Sequence, residues 1–250
     1  MDLRRIEEVS LNSWPALQQM LFDGWLLRFA KGYTKRANSV NPLYGSTMDV
    51  EEKVEVCERV YAERGLPIVF RLTPFSSPPN LDAVLDRRDY ARIDPTLVEY
   101  LDLEGYAAPP APAAELREEG LDDWMDIFRR ITNFPAERQQ AHREILEAIP
   151  GRRFLATARN RERYKEQAVA CGLGVLEGAY FGLFDIFTDL EQRNRGYGTG
   201  LVAGMLEWAK RNGARHAYLQ VTRENLGARR LYGRLGFGEV YGYWYRVGRK

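Results

Sequence analysis

A short loop with two closely spaced glycines constrains the fold of this chain more than any other feature of its sequence. The loop, Arg193-Asn194-Arg195-Gly196-Tyr197-Gly198-Thr199, lies between an aromatic, β-branched run predicted as a strand over 179–188 and an amphipathic helix predicted over 199–212. Glycine lets the backbone approach a ligand closely. The free N–H groups and the dipole of a helix N-terminus favour an anion. The pattern therefore predicts a pyrophosphate cradle where this helix begins.

Two other phosphate-binding loops do not fit this spacing. A P-loop needs Gly-Lys-Ser/Thr before its helix, whereas Gly200 is followed here by Leu201. A dinucleotide-binding loop needs Gly-x-Gly-x-x-Gly, whereas the glycines here stand at 196, 198 and 200. Taken alone, the loop is also compatible with a tight strand-to-helix turn that binds nothing.

A second motif follows after one further strand, predicted over 215–222. It reads Asn225-x-x-Ala228-x-x-Leu231-Tyr232-x-x-x-Gly236-Phe237, and Asn225 is a typical helix cap. Together with Arg193-x-x-Gly196-x-Gly198, this motif resembles the GNAT acetyltransferase superfamily, and the resemblance covers 112–250. A second register, Arg195-x-x-Gly198-x-Gly200, also fits. Asn194 departs from the glycine that relatives often carry, but asparagine tolerates left-handed backbone angles.

The resemblance implies acetyl-CoA as co-substrate and assigns roles to residues by position. The N–H groups of Arg193, Asn194, Arg195, Gly196, Tyr197, Gly198 and Thr199 would hold the pyrophosphate. The strand edge at Ile186, Phe187 and Thr188 would bind the pantetheine arm, and an N–H group there would polarise the thioester carbonyl. Asn225 would lie beside the pantetheine, and Tyr232 would protonate the departing thiolate. Without the flanking motif, Tyr232 is equally compatible with a core aromatic of an amphipathic helix.

The amine acceptor must lose a proton, because an exposed amine of the lysine type has a pKa near ~10.4. The candidate bases are Glu177 and Asp185, which lie on or beside the strand that leads to the loop. Asp185 interrupts an apolar aromatic run, which is unusual for an acid. A chain of water molecules would serve equally well.

Composition excludes several other classes of function. Lysine and arginine number 36 against 35 aspartate and glutamate, so net charge gives no reason to expect a nucleic-acid or membrane partner. Two separated cysteines and two histidines predict neither a disulfide nor a metal site. No apolar run is long enough to cross a bilayer, and the first residues do not resemble a signal peptide. We therefore expect a cytoplasmic protein, and the sequence leaves its oligomeric state open between monomer and dimer.

The predicted fold class is α/β, or α+β, with two GNAT-like domains that each have a mixed, mostly antiparallel sheet flanked by helices. A Pro/Ala-rich segment at 105–114 separates residues 1–107 from residues 112–250. Helix, strand, helix and strand over 50–103 repeat the order of 199–247 at an offset of about 147 residues. The N-terminal domain is therefore interpreted as a degenerate copy, which carries no glycine loop at Asn41–Thr47. Strands at 153–159 and 166–176 are predicted to flank a polar turn at 160–165.

The resulting hypothesis is an N-acetyltransferase that transfers the acetyl group of acetyl-CoA to a primary amine by direct attack. Two alternatives remain open from sequence: a non-catalytic acyl-CoA-binding sensor and an acyltransferase that uses another acyl-CoA. The sequence does not identify the acceptor, which could be a protein amine, an amino acid, an antibiotic or a polyamine.

Overall fold

A computed structural model describes residues 2–109, 115–162 and 165–248, which form two compact units. The loop-bearing unit comprises Met1–Ser13, Val98–Gln140 and Ile149–Val240. The second unit comprises Trp14–Leu97, Ala141–Ala148 and Tyr241–Lys250. Most of the predicted linker, residues 110–114, lies outside the described residues.

The helices and strands alternate along most of the chain. The helices are α1 (Leu3–Ser13), α2 (Val50–Ala62), α3 (Leu81–Arg87), α4 (Leu121–Thr132), α5 (Ala136–Glu147), α6 (Tyr197–Arg211) and α7 (Leu226–Arg234). The strands are β1 (Gln18–Phe22), β2 (Trp25–Phe29), β3 (Val40–Pro42), β4 (Val69–Leu72), β5 (Ala91–Asp102), β6 (Glu115–Glu118), β7 (Arg152–Glu162), β8 (Lys165–Glu177), β9 (Tyr180–Thr188), β10 (His216–Thr222) and β11 (Gly238–Val247). The predicted α/β fold class is confirmed.

The sheet of the loop-bearing unit has the strand order β5-β10-β9-β8-β7-β6. Strands β6 to β9 form an antiparallel meander, and β10 pairs with β9 in parallel. A parallel pair needs a crossover, which α6 provides here. Helix α6 packs on one face of the meander, where Trp208 stacks on Phe154 with ring centroids 4.2 Å apart.

The second unit has the strand order β1-β2-β3-β4-β11-β5. Its core lies between the sheet and helices α2 and α3. Trp25, Phe70 and Tyr61 are among the fully buried side chains of this core, and the rings of Trp25 and Phe70 meet edge to face. Alternating apolar residues on β2 and β4 supply this face, as expected for strands covered by helices on one side.

The bounds of the compact units differ from the predicted division at 107 and 112. Val98–Asp102, the end of β5, belongs to the loop-bearing unit, whereas Tyr241–Val247, the end of β11, belongs to the second unit. Helix α1 also belongs to the loop-bearing unit. Each unit thus includes strand residues that are distant in sequence from the rest of it. The composition of a linker cannot predict such pairing between distant strands.

The repeated order of elements is confirmed, because α2-β4-α3-β5 and α6-β10-α7-β11 begin at positions 145–147 residues apart. Other predictions were wrong in part. The sequence of residues 35–43 also predicts a strand, but the structure has a short 3-10 turn at Lys35–Ala37 followed by a strand of Val40–Pro42 only. Part of the polar turn predicted at 160–165 is strand instead, since β7 continues to Glu162 and β8 begins at Lys165, and residues 163–164 lie outside the described residues. Helix α1 and strand β1 were not predicted.

In the second unit, the segment before α2 occupies the same place in the order of elements as the glycine loop before α6. A carboxylate of the chain itself binds this segment. Asp23, in the turn between β1 and β2, accepts hydrogen bonds from the N–H groups of Thr47 and Met48 and from the hydroxyls of Ser46 and Thr47, at 2.7–3.1 Å. The buried ammonium of Lys53 lies 3.2 Å from the same carboxylate. An internal anion therefore binds the N–H groups and hydroxyls before α2.

Replacing Asp23 with asparagine is expected to lower the melting temperature by roughly 3–6 °C at neutral pH, because charge-assisted bonds to the 46–48 segment are lost. The N–H of Met48, the Ser46 hydroxyl and the N–H of Thr47 hold the pKa of Asp23 far below its usual value. A lowered pKa stabilises the fold above about pH 4, the unfolded value, and this contribution fades as the pH falls further. Thermal unfolding of both proteins between pH 3 and 8 should show a constant difference above pH 5 that shrinks towards pH 3.

The matched control is Glu55→Gln, which removes an exposed carboxylate from α2. Its side chain is 53% exposed and lies 3.6 Å from Arg88, so the change in melting temperature should stay below about 2 °C. Equal effects of the two substitutions would contradict the role assigned to Asp23.

Candidate active site

Strands β9 and β10 separate like a fork near the end of β9. Their parallel pairing runs from Tyr180 with His216 to Leu183 with Leu219 and goes no further in the described residues. Strand β9 continues to Thr188 and stays paired with β8 on its other side. Beyond Leu183, the β10-facing edge of β9 therefore presents N–H and C=O groups to which an extended ligand could bond as an additional strand.

A β-bulge lies at this fork and changes the direction of the side chains on β9. Cys171 of β8 pairs with Phe187 and Leu173 pairs with Phe184, so β9 has one residue more than β8 between these pairs. Asp185 within this stretch has φ +48°, a left-handed conformation that aspartate tolerates better than most residues. The unusual acid in the aromatic run is thus explained by backbone geometry.

The bulge brings Ile186 and Thr188 to the face covered by α6. Phe181, before the bulge, contacts Trp208 of α6 with ring centroids 5.9 Å apart. Ile186 comes five residues later and also faces α6. A Cβ built on Gly172 would lie 2.6 Å from Ile186 Cδ1 and 3.0 Å from Sδ of Met205 on α6, so these two side chains share one face of the sheet. Strict alternation would have placed Ile186 on the opposite face.

The glycine loop adopts the backbone that its residues predict. Asn194 and Gly196 both have left-handed φ values, +61° and +85°. Helix α6 begins at Tyr197, and its first turn has no side-chain cap. The N–H of Gly200 donates to the C=O of Gly196 at 2.9 Å, so the N–H groups of the three residues from Tyr197 to Thr199 precede that helical bond and point out of the helix end.

The first turn of α6 packs closely against the end of β9 and against α7. A Cβ on Gly198 would lie 3.0 Å from Thr188 Oγ1 and 3.1 Å from Leu231 Cδ1. Asn225 caps α7, as predicted, by accepting a hydrogen bond from the N–H of Ala228 at 3.1 Å. The loop, the end of β9 and the start of α7 therefore meet at one place.

A cleft of about 770 Å³ lies where these elements meet. It is lined by Ile186, Phe187, Thr188, Gln192, Arg193, Asn194, Gly196, Tyr197, Gly198, Thr199, Asn225, Gly227, Ala228, Arg230, Leu231, Tyr232 and Arg234. Three arginines and no acidic side chain occur among these lining residues. An open cleft with a bare helix N-terminus and cationic walls suits an extended, anionic ligand.

Tyr232 lies on α7 where it lines this cleft, although its side chain is largely buried with 8% exposed. Burial raises the pKa of Tyr232 above its usual range, and the nearby Glu99 carboxylate raises it further. The phenol therefore keeps its proton throughout the physiological pH range and can act as a hydrogen-bond donor in the cleft.

Three of the predicted site residues do not line the cleft. Arg195 is exposed beside it. Asp185 lies within the β-bulge of β9. Glu177 precedes the opposite end of β9, where it pairs with Arg5 at 2.9 Å and accepts hydrogen bonds from Asn12. A nine-residue strand of roughly 30 Å separates it from Thr188.

Several lining residues were missed at the level of sequence. Gln192 directly precedes the first motif, Arg230 and Arg234 stand at variable positions within the second, and Gly227 lies one turn before Leu231. Their spacing at three and four residues on α7 could have predicted a common face. Their role was hidden because arginine on a short helix is usually solvated.

The fork, the bare helix N-terminus and the tyrosine meet in one cleft, which is the arrangement that the resemblance to the GNAT acetyltransferases implies. Comparison with known families supports this class. The family model described as "Probable histone acetyltransferase Rv0428c C-terminal" matches residues 1–246, and the chain belongs to this family and to the GNAT superfamily. It is an acetyltransferase.

One relative matches nearly the whole chain in sequence, and solved structures share its fold. The "Uncharacterized N-acetyltransferase YobR" of Bacillus subtilis (strain 168) is 33% identical over 256 residues, covering 99% of each chain. A GCN5-related N-acetyltransferase from Kribbella flavida has a similar structure, with a TM-score of 0.74 at 15% identity, covering 99% of this chain and 95% of that one. A tandem GNAT protein from the clavulanic acid biosynthesis pathway has a TM-score of 0.61 at 16% identity, covering 77% and 68%. The structural likenesses concern the fold alone.

Two features are absent from the described ranges. None of the helices there is both long enough and apolar enough to span a membrane. No group of three or more His, Cys, Asp or Glu side chains is arranged there to hold a metal ion.

Proposed function

We propose that the protein transfers the acetyl group of acetyl-CoA to a primary amine by direct attack. The observation that carries the proposal is that one cleft combines an unpaired edge of β9, the bare N-terminus of α6 and the phenol of Tyr232. The ligand supplies an activated acetyl thioester, and these three features of the chain match its pantetheine amides, its pyrophosphate and its sulfur.

The cradle of N–H groups from Asn194 to Thr199 would hold the pyrophosphate, helped by the charge of Arg193. Because Gly198 has no side chain, the first turn of α6 can pack directly against Thr188 and Leu231, which would fix its N–H groups at the cleft. The edge of Ile186, Phe187 and Thr188 would bond the pantetheine amides as a neighbouring strand does. Asn225 would lie beside this arm while it caps α7.

The fork orients the reacting group and the bulge supplies a donor to it. An N–H group of β9 at the bulge would donate to the thioester oxygen, where negative charge develops as the amine attacks. Tyr232 would donate its proton to the sulfur as the C–S bond breaks. A tyrosine in the cleft favours an enzyme over an acyl-CoA sensor, because mere binding needs no proton donor.

Calorimetric titration with acetyl-CoA tests the donor. We expect one molecule bound per chain with a Kd of about 1–100 µM, because Asp23 already binds the equivalent loop of the second unit. Thiol release from acetyl-CoA with a panel of primary amines then tests turnover, and butyryl-CoA run in parallel tests acyl length. Absence of binding at millimolar acetyl-CoA would refute the proposal, and two equivalent sites would refute the role of Asp23.

A further inference from the structure

The side chains at the end of β9 point to both faces of the sheet. Helix α6 and the start of α7 occupy one face, because a Cβ on Gly198 would lie 3.0 Å from Thr188 Oγ1 and 3.1 Å from Leu231 Cδ1. Phe187, the neighbour of Thr188, points to the other face, where its ring contacts Phe128 of α4. A thioester held along the edge of β9 therefore has a second side, opposite α6, on which another molecule can approach it.

The side chain of Phe187 is apolar and yet exposed in the cleft. It is 39% exposed and is one of the residues that line this site. Leu190 and Leu226 are also large, apolar and exposed in the described part of the unit, but neither lines the cleft. A single exposed apolar side chain on a surface needs no explanation. A phenyl ring beside the strand edge that would hold the thioester offers a contact for the second substrate.

Phe187 is the exposed end of a series of aromatic rings. Its ring meets that of Phe128 edge to face with centroids 5.5 Å apart, and Phe128 meets Phe134 in the same way at 5.2 Å. Phe128 is buried, with 3% exposed, and it stacks on the fully buried Trp124 at 5.1 Å. Phe134, in the turn between α4 and α5, is half-buried. Two partly accessible rings are thus packed against a buried aromatic pair.

The turn that carries Phe134 is itself held by backbone geometry. Asn133 ends α4 in a left-handed conformation with φ +52°. The N–H of Phe134 donates to the C=O of Arg129 at 3.2 Å, and Gln139 Nε2 donates to the C=O of Phe134 at 3.5 Å. The ring is therefore in place before any ligand arrives. An apolar surface that is already ordered binds a ligand at a lower cost in conformational entropy.

We propose that Phe187, Phe128 and Phe134 form the acceptor subsite and that it takes a primary amine carried on an aromatic group. The inference rests on the proposed function. The ring of the acceptor would pack on Phe187, edge to face or offset, as aromatic pairs prefer. Its amine, one short aliphatic link away, would reach the acetyl carbon from the side opposite α6. A small polar amine would leave Phe187 in contact with water and would gain little from this surface.

The choice of acceptor is tested with 2-phenylethylamine and ethanolamine, two primary amines of similar basicity that share a two-carbon link. In the unmodified protein we expect kcat/KM to be at least about tenfold higher for 2-phenylethylamine. Phe187→Ala should lower the ratio of the two kcat/KM values at least about fivefold. The loss should appear mainly as a higher KM for 2-phenylethylamine, because the ring is bound equally before and during the reaction.

Two further variants show whether the apolar surface at this position is the cause. Phe187→Leu keeps an apolar side chain and should retain most of the preference. Leu190→Ala removes an apolar side chain that is 64% exposed and lies outside the cleft lining, so it should leave the ratio unchanged. Because each ratio is measured within one protein preparation, a loss of folded protein or of acetyl-CoA affinity affects both amines equally and cancels.

The results that would overturn the inference differ from those that would refute the proposed function. Equal kcat/KM values, a preference for ethanolamine, no reaction of either amine, or a ratio that Phe187→Ala does not change would overturn the aromatic subsite. The proposed function stands in each of these cases if acetyl-CoA binds and another amine of the panel releases thiol. Failure of the unmodified protein to bind acetyl-CoA would instead refute the proposed function.

Discussion

Replacing Gly198 with glutamate is expected to weaken acetyl-CoA binding at least 100-fold, which corresponds to about 2.7 kcal/mol. Two effects combine at this position. A Cβ there would lie within 3.1 Å of both Thr188 Oγ1 and Leu231 Cδ1, so the end of β9 or α7 must move. The carboxylate would also stand at the N-terminus of α6, where it competes with and repels the pyrophosphate.

The control places the same charge on a glycine with open surroundings. Gly233 of α7 is exposed, and nothing lies within 4 Å of a Cβ built on it. Glutamate there should leave the Kd within about threefold of the unmodified protein. Gly198→Ala separates space from charge and should give an intermediate Kd. Circular dichroism first shows whether the three variants fold, and calorimetry then compares their Kd values for acetyl-CoA. Unchanged affinity in Gly198→Glu would rule out the cradle.

The cofactor loop could be predicted from sequence because its signals are local. Glycine at 196 and asparagine at 194 select left-handed backbone, and the helix that follows has a clear apolar period. These features act within a few residues, so no knowledge of the remaining fold is needed. For the same reason Asn225 could be recognised as the cap of α7.

The fork could not be predicted because it depends on pairing between distant strands. Nothing in residues 180–188 shows that the partner strand leaves after Leu183, or that an extra residue reverses the faces at Asp185. Sequence proximity also misled the interpretation of Glu177, which is near the loop along the chain but lies beyond the far end of β9. The direction of a strand, not the count of residues, decides which end reaches the cleft.

Helix α1 was missed for a different reason. Its apolar positions are few, and the buried Glu7 and Ser10 weaken the apolar stripe that would have indicated a helix. Buried polar residues break the binary pattern from which elements are predicted, so α1 was among the elements that are least visible in sequence.

Substituting Tyr232 with phenylalanine is expected to lower kcat about 100- to 1000-fold while the Kd for acetyl-CoA changes less than about threefold. The ring keeps its contact with Phe237, whose centroid is 6.0 Å away, so packing is preserved and only the proton donor is lost. A thiol of the cysteine type has a reference pKa near ~8.5. The thiolate becomes more basic in a desolvated cleft, which favours the transfer and offsets the raised pKa of the phenol.

The pH dependence distinguishes this role from a structural one. Because burial raises the pKa of Tyr232, the phenol stays protonated in the folded enzyme as the pH rises through ~10, the value for an exposed tyrosine. The deficit of Tyr232→Phe should therefore stay constant between pH 6 and 9. Tyr180→Phe, at the opposite end of β9, serves as the control and should keep kcat. An unchanged kcat in Tyr232→Phe would contradict this role of Tyr232 and would indicate that solvent donates the proton.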